Sequence, residues 1–141
     1  MRKHLHILVA EDDEDDRYFI KTAFESFTND VQLDFVVHGA ELIHHLQQLY
    51  ATESAMPSLI LLDLNMPVMG GKAALDQIKK HPVFKSIPVI IFSTTTNKVD
   101  ISYSYDAGAN TFITKPSTYQ SLEDMMKSVY KYWHSIASLK H

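Results

Sequence analysis

Five side chains able to do chemistry stand where apolar runs of this chain stop. Leu59 to Leu62 is a continuous aliphatic run ended by Asp63, after which Pro67 and the Gly70-Gly71 pair turn the chain. Glu11 and Asp12 follow the run Leu5 to Ala10, Ser93 opens a hydroxyl cluster after Pro88 to Phe92, and Lys115, followed by Pro116, comes after Asn110 to Thr114. Three carboxylates held together repel and raise one another's pKa unless a cation occupies the gap. Hard oxygen ligands with room for water suit Mg²⁺. With a hydroxyl and an ammonium added, the set suits a divalent metal plus a phosphoryl group. Singly, each has a plainer role: an aspartate caps a turn, Thr95 or Thr96 caps a helix, and a lysine before proline is solvated. The chemistry depends on the fold bringing the five to one edge.

The elements needed for that alternate along the chain. Leu5 to Ala10 reads as a first strand, and a helix over Glu14 to Phe27 carries Phe19, Ile20, Ala23, Phe24 and Phe27 on one stripe. Val31 to Val37 is a second strand, closed by His38-Gly39. A second helix runs from Ala40 to about Ala51 and buries Leu42, Ile43, Leu46 and Leu49. After strand three comes a helix from about Lys72 to Lys80, stopping before Pro82. Pro88 to Ser93 is the fourth strand and Asn97 to Ala107 a poorer helix ended by Gly108. Asn110 to Thr114 is the fifth strand. Ser117, with Gln120 in a capping box, opens the last helix. Such alternation means right-handed crossovers and a parallel sheet covered on both faces, an α/β flavodoxin-like (βα)5 sandwich of strand order 2-1-3-4-5. Strands one and three are then neighbours, and Glu11 and Asp12 meet Asp63 at the switch point.

Length and composition fit one domain spanning residues 1–141, its last helix running beyond about residue 130. No run approaches a membrane span, and Arg2-Lys3 before a short apolar run leads straight into acids, which rejects an export signal. The chain has no cysteine and a net charge of −4, so disulfides are excluded, a cytoplasmic location is expected, and nucleic acid is not the expected ligand. Asp13, Glu14, Asp15 and Asp16 read as a solvated helix start that complements the macrodipole. Placing the functional pair at Glu11-Asp12 rather than Asp12-Asp13 ends strand one at Ala10 and keeps Phe19, Ala23 and Phe27 inward. His44 and His45 are consecutive and point apart on a helix, and Met125 and Met126 read as core filling.

On Glu11-Asp12, Asp63-Leu64-Asn65-Met66-Pro67, Ser93 and Lys115-Pro116, with Gly108-Ala109 and Phe112, the chain resembles the CheY-like receiver domain of bacterial two-component response regulators from Leu5 to about Val129. That resemblance implies phosphoryl transfer from a histidine kinase to Asp63. It further implies Mg²⁺ on Asp12, Asp63 and the Asn65 carbonyl, with Glu11 acting through water. Lys115 would pair with phosphoryl oxygens, Ser93 would hydrogen-bond one, Phe112 would be the switch aromatic, and a cis peptide bond would precede Pro116. Such a domain catalyses only its own phosphorylation and dephosphorylation and is not a conventional enzyme. Two departures stand out. Gly70-Gly71 replaces the commoner Asp-Gly, costing the third helix an acidic cap, and Ser93 replaces threonine.

Other functions fit less well. An FMN-binding flavodoxin needs donors, not acids, after strand one. A haloacid-dehalogenase-type phosphatase carries an aspartate two residues after its nucleophile, where this chain has Asn65. A degenerate interaction module would lack a key residue, and an intermediate phosphate-shuttling receiver would share them all. With the domain filling the chain, a stand-alone regulator is expected, its signal leaving through a downstream protein, a phosphotransfer protein or a second copy. Length and the aromatic last helix resemble receivers paired with phytochrome-type sensor kinases. Leu122, Met125, Met126, Val129, Trp133 and Ile136 form a helical stripe whose far end, continued by Leu139 and neighbouring Ile101 and Tyr105, is expected to be an exposed homodimer or partner surface.

Overall fold

The computed structural model describes residues 4–137. Its elements run β1 (Leu5–Ala10), α1 (Glu14–Glu25), β2 (Val31–Val36), α2 (Gly39–Ala51), β3 (Leu59–Leu62), α3 (Gly71–Lys80), β4 (Val89–Ser93), α4 (Lys98–Asp106), β5 (Thr111–Thr114) and α5 (Tyr119–Lys131). A short 3-10 turn, Phe84–Ser86, precedes β4, and one π-helical turn, Tyr132–Ile136, follows α5. The five strands are parallel in the order β2-β1-β3-β4-β5, as the alternating pattern requires.

The sheet separates two cores. Alternate side chains of a strand point to opposite faces, so Ile60 and Leu62 join Leu42, Leu46, Leu75 and Ile78 of α2 and α3 on one side. Leu59 and Leu61 join Ile20, Phe24, Leu122 and Met126 of α1 and α5 on the other. A strand buried on both faces must be apolar throughout, and all four β3 residues are buried. α4 departs from this design. Ser104 is its one buried residue. Polar contacts hold it instead: Lys72 Nζ reaches Asp100 at 2.5 Å and the Tyr103 hydroxyl donates to Asp76 at 2.6 Å. Among the described residues no helix is long and apolar enough to cross a membrane.

Several local expectations need correction. Thr118, not Ser117, caps α5, its hydroxyl accepting from the Ser121 N–H at 3.2 Å. Asn97 caps α4, accepting from the Val99 N–H at 2.8 Å, while Thr95 accepts from the Asn97 N–H. Phe19 is exposed and Leu49 only partly buried, because the sheet takes Ile20, Ala23 and Phe24 from α1 and Leu42, Ile43 and Leu46 from α2. Trp133, expected on an open stripe, is 7% exposed. It packs with Val129 and Met126 in the α1–α5 core, while Tyr130 sets its ring against Phe27 at 5.6 Å. Trp133 therefore folds back on its own domain, though Tyr132 stays half exposed; the Ile136 side chain and Leu139 lie outside what is described.

Candidate functional site

Asp63 follows β3 directly. Its N–H donates to the Ala10 carbonyl at 3.1 Å, prolonging the β1–β3 ladder and placing the carboxylate beside the end of β1. At that end the Glu11 N–H donates to Val36 O at 2.9 Å, holding Glu11 to β2, and the Glu11 side chain is buried. Asp13 turns away to cap α1, accepting from the Asp16 N–H at 3.0 Å. Glu11, Asp12 and Asp63 each offer an oxygen, and these lie within 4.8 Å of one another.

Glycine brings the start of α3 under the acid. A Cβ on Gly71 would stand 2.3 Å from the Asp63 carbonyl oxygen and 2.7 Å from Leu64 Cα, and the Gly71 N–H donates to Leu64 O. The Gly70 cap makes no side-chain hydrogen bond, as expected from the missing acid. Between them and the strand, Val68 takes φ +67° and is exposed, with Met69 N–H donating to Pro67 O at 2.8 Å in a tight γ-turn.

Lys115 completes the charge balance. Its N–H donates to Ser93 O at 2.8 Å, so it lies one step past the β4–β5 ladder, and its side chain is mostly buried. The ammonium bonds to Glu11, to Asp16 at 2.9 Å and to Asp63 at 3.5 Å. Burial pushes the Glu11 carboxyl up to about 7; the Lys115 hydrogen bond opposes this and the Asp63 charge adds to it. For Lys115, burial works against the charge, but the Glu11 and Asp16 hydrogen bonds and the Asp63 charge outweigh it and raise its pKa.

Ser93 is fully buried and its hydroxyl has no hydrogen-bond partner among the described residues. Phe112, opposite Ile91 on β5, is partly buried against the α2–α3 core, and its N–H donates to the Tyr105 hydroxyl at 3.1 Å. Asn65 is exposed, with its N–H donating to Asp63 Oδ1 at 3.3 Å. The fold thus gathers Glu11, Asp12, Asp63, Asn65, Ser93 and Lys115 at one sheet edge. The described residues contain no cis peptide bond, so Lys115–Pro116 is trans, the isomer X–Pro bonds favour by about 0.5–1 kcal/mol.

A matched sequence model of the response regulator receiver domain spans residues 7–127. The chain belongs to the response regulator receiver family. Response regulator Rcp1 of Synechocystis is 33% identical over 134 residues, covering 94% of this chain and 91% of Rcp1. The phosphorylated cyanobacterial phytochrome response regulator RcpA superposes with a TM-score of 0.91 at 36% identity, covering 98% of this chain and 99% of that one. The Mn(2+)-bound form of Rcp1 gives 0.87 at 31% identity, covering 97% and 99%.

The acid cluster of this receiver fits a hard divalent ion. Oxygens on one octahedral Mg²⁺ lie no farther apart than about 4.2 Å, twice the metal–oxygen distance. The 4.8 Å limit here leaves only a small contraction to make.

Sequence reasoning missed Asp16, assigned to the solvated helix start but bonded to Lys115. No spacing signals it, since Asp12 precedes the N-cap Asp13 and the i, i+4 relation holds only within the helix. Tyr105, on the surface in the sequence reading, is half exposed, and its hydroxyl accepts from the Phe112 N–H.

Proposed function

We propose that this receiver accepts a phosphoryl group on Asp63 from the phosphohistidine of a sensor kinase. One Asp63 oxygen forms the new P–O bond as the donor's P–N bond breaks. The bonding pair returns to the imidazole, which takes up a proton. Phosphoryl transfer asks mainly for positioning and charge neutralisation. Lys115 supplies a fixed cation for the phosphoryl oxygens, and the Ser93 hydroxyl donates to one of them. Phe112 follows Ser93 as the switch aromatic. Asp12, Asp63 and the Asn65 carbonyl would hold Mg²⁺, with Glu11 acting through water. When bound, the ion neutralises charge developing on the transferred group.

The observation that carries the reading is the Lys115 ammonium, delivered by β5 to within 3.5 Å of the Asp63 carboxylate at the end of β3. The Ser93 hydroxyl, buried and without a partner among the described residues, belongs to the residue whose carbonyl accepts from the Lys115 N–H, and is a donor that an incoming oxygen would satisfy. RcpA and Rcp1 favour a phytochrome-type kinase as donor. The homodimer expected from the last helix loses Trp133 and rests on the exposed Tyr105 and Tyr132.

Acetyl phosphate with Mg²⁺ tests the assignment. Wild type should gain one base-labile phosphoryl group by mass spectrometry, Asp63→Asn none, with both melting at similar temperatures. Stoichiometric modification of Asp63→Asn at another residue would sink it.

A further inference from the structure

Asp16 is an acid for which the proposed reaction has no use. An ammonium has three hydrogens, and that of Lys115 faces three carboxylates: Glu11, Asp16 at 2.9 Å and Asp63 at 3.5 Å. Glu11 and Asp63 belong to the cluster that converges with Asp12; Asp16 does not. Asp16 is also fixed from its own side. It sits in the first turn of α1, its N–H bound to the capping Asp13, and Arg17 next to it reaches the Glu11 carbonyl at 2.9 Å. Of the three acids, Asp63 is the farthest from Lys115. The cation sits nearer Glu11 and Asp16 than Asp63.

We propose that Asp16 is a positioning residue that tethers Lys115 in the resting receiver and competes with the phosphoryl group for it. The inference rests on the Asp63 reading above. A phosphoryl group adds nearly two negative charges and strong acceptor oxygens, so Lys115 must turn an N–H away from a resting partner to meet it. Glu11 gains another cation to face when the acid cluster is filled. Asp16 gains none, and its hold on Lys115 opposes the change. The same fixed charge repels an anionic phosphoryl donor approaching the site. Asp16 and Lys115 both line an open groove of about 330 Å³ between α1 and the start of α5, with Phe19 and Leu122. Asparagine at this position keeps the shape and an accepting oxygen while removing the charge.

Wild type, Asp16→Asn and Asp16→Glu, each as the full chain, are titrated calorimetrically with Mg²⁺ alone, then with fluoroberyllate in saturating Mg²⁺. Phosphorylation rate is measured against acetyl phosphate concentration by mass spectrometry. Asp16→Asn should bind fluoroberyllate roughly threefold to tenfold tighter, the size of losing one nearby, partly screened charge. Its half-saturating acetyl phosphate concentration should fall by a similar factor, with Mg²⁺ affinity unchanged. Asp16→Glu, which keeps the charge, should stay near wild type. Equal or weaker fluoroberyllate binding by Asp16→Asn overturns the tether, as does a loss of Mg²⁺ affinity, which would make Asp16 a metal ligand. An Asp16→Glu that behaves like Asp16→Asn overturns it too. A wild-type chain that takes up neither reagent overturns the Asp63 reading itself, and that failure is visible before any variant is compared.

Discussion

Glu11 is buried against β2 and β3, and its carboxyl titrates near 7 rather than at its ordinary 4.5. Between those values the folded protein keeps a proton that the unfolded chain releases. Stability from this group is therefore fully present below about 4.5 and lost as pH rises through about 7. Urea midpoints of the metal-free protein, measured across that window, should show it. Glu11→Gln should remove this part of the slope and gain on wild type with each step toward alkaline pH. Parallel curves would show that burial does not hold the proton. Of the site, Glu11, Asp12, Asp63 and Ser93 were legible because each follows an apolar run that has no other reason to stop, and Lys115 because Pro116 follows it at the end of the fifth strand. Asp16 was not, because an acid in a helix's first turn already has an explanation in the macrodipole. Only a partner from a strand ninety-nine residues away gives it a second one.

At the scale of elements, α3 begins where the backbone of Asp63 leaves no room for a side chain. Gly71→Ala should push the helix start and the Asp63 peptide apart, since a Cβ at 2.3 Å from a carbonyl oxygen cannot be accommodated without backbone movement. The expected cost is about 1–3 kcal/mol of stability, with phosphorylation by acetyl phosphate slowed more than a thermal melt alone would foretell. A variant as fast as wild type would show that the loop absorbs the change away from the acid. Strands and helices were readable from periodicity, yet their caps slipped by one or two residues. Ser117 and Thr118 are both competent caps, as are Thr95, Thr96 and Asn97, and sequence gives no means of ranking neighbours. Trp133 was misplaced for another reason. It keeps the stripe's spacing, four residues after Val129 and seven after Met126, and stays inward with them; what the sequence does not show is that the α1–α5 core extends past Val129.

Across the whole molecule, two cores share one sheet, and four helices press apolar stripes onto it. The fifth, α4, does not. Among the described residues its attachment includes an ion pair, a tyrosine–carboxylate bond, the Lys72 ammonium over the Tyr103 ring and a hydroxyl accepting from β5. Apolar packing scarcely changes with salt, whereas an exposed ion pair is screened by it. Amide hydrogen exchange should consequently find α4 opening as a unit of its own, well below the free energy of global unfolding. Added salt should raise its exchange further and leave β1 and β3 untouched; α4 amides as slow as those of α5 would refute this. Such a helix gives the protein two melting processes in place of one. A partner that seizes α4 would then work against only the local process, and the sheet that carries the acids would keep its order throughout.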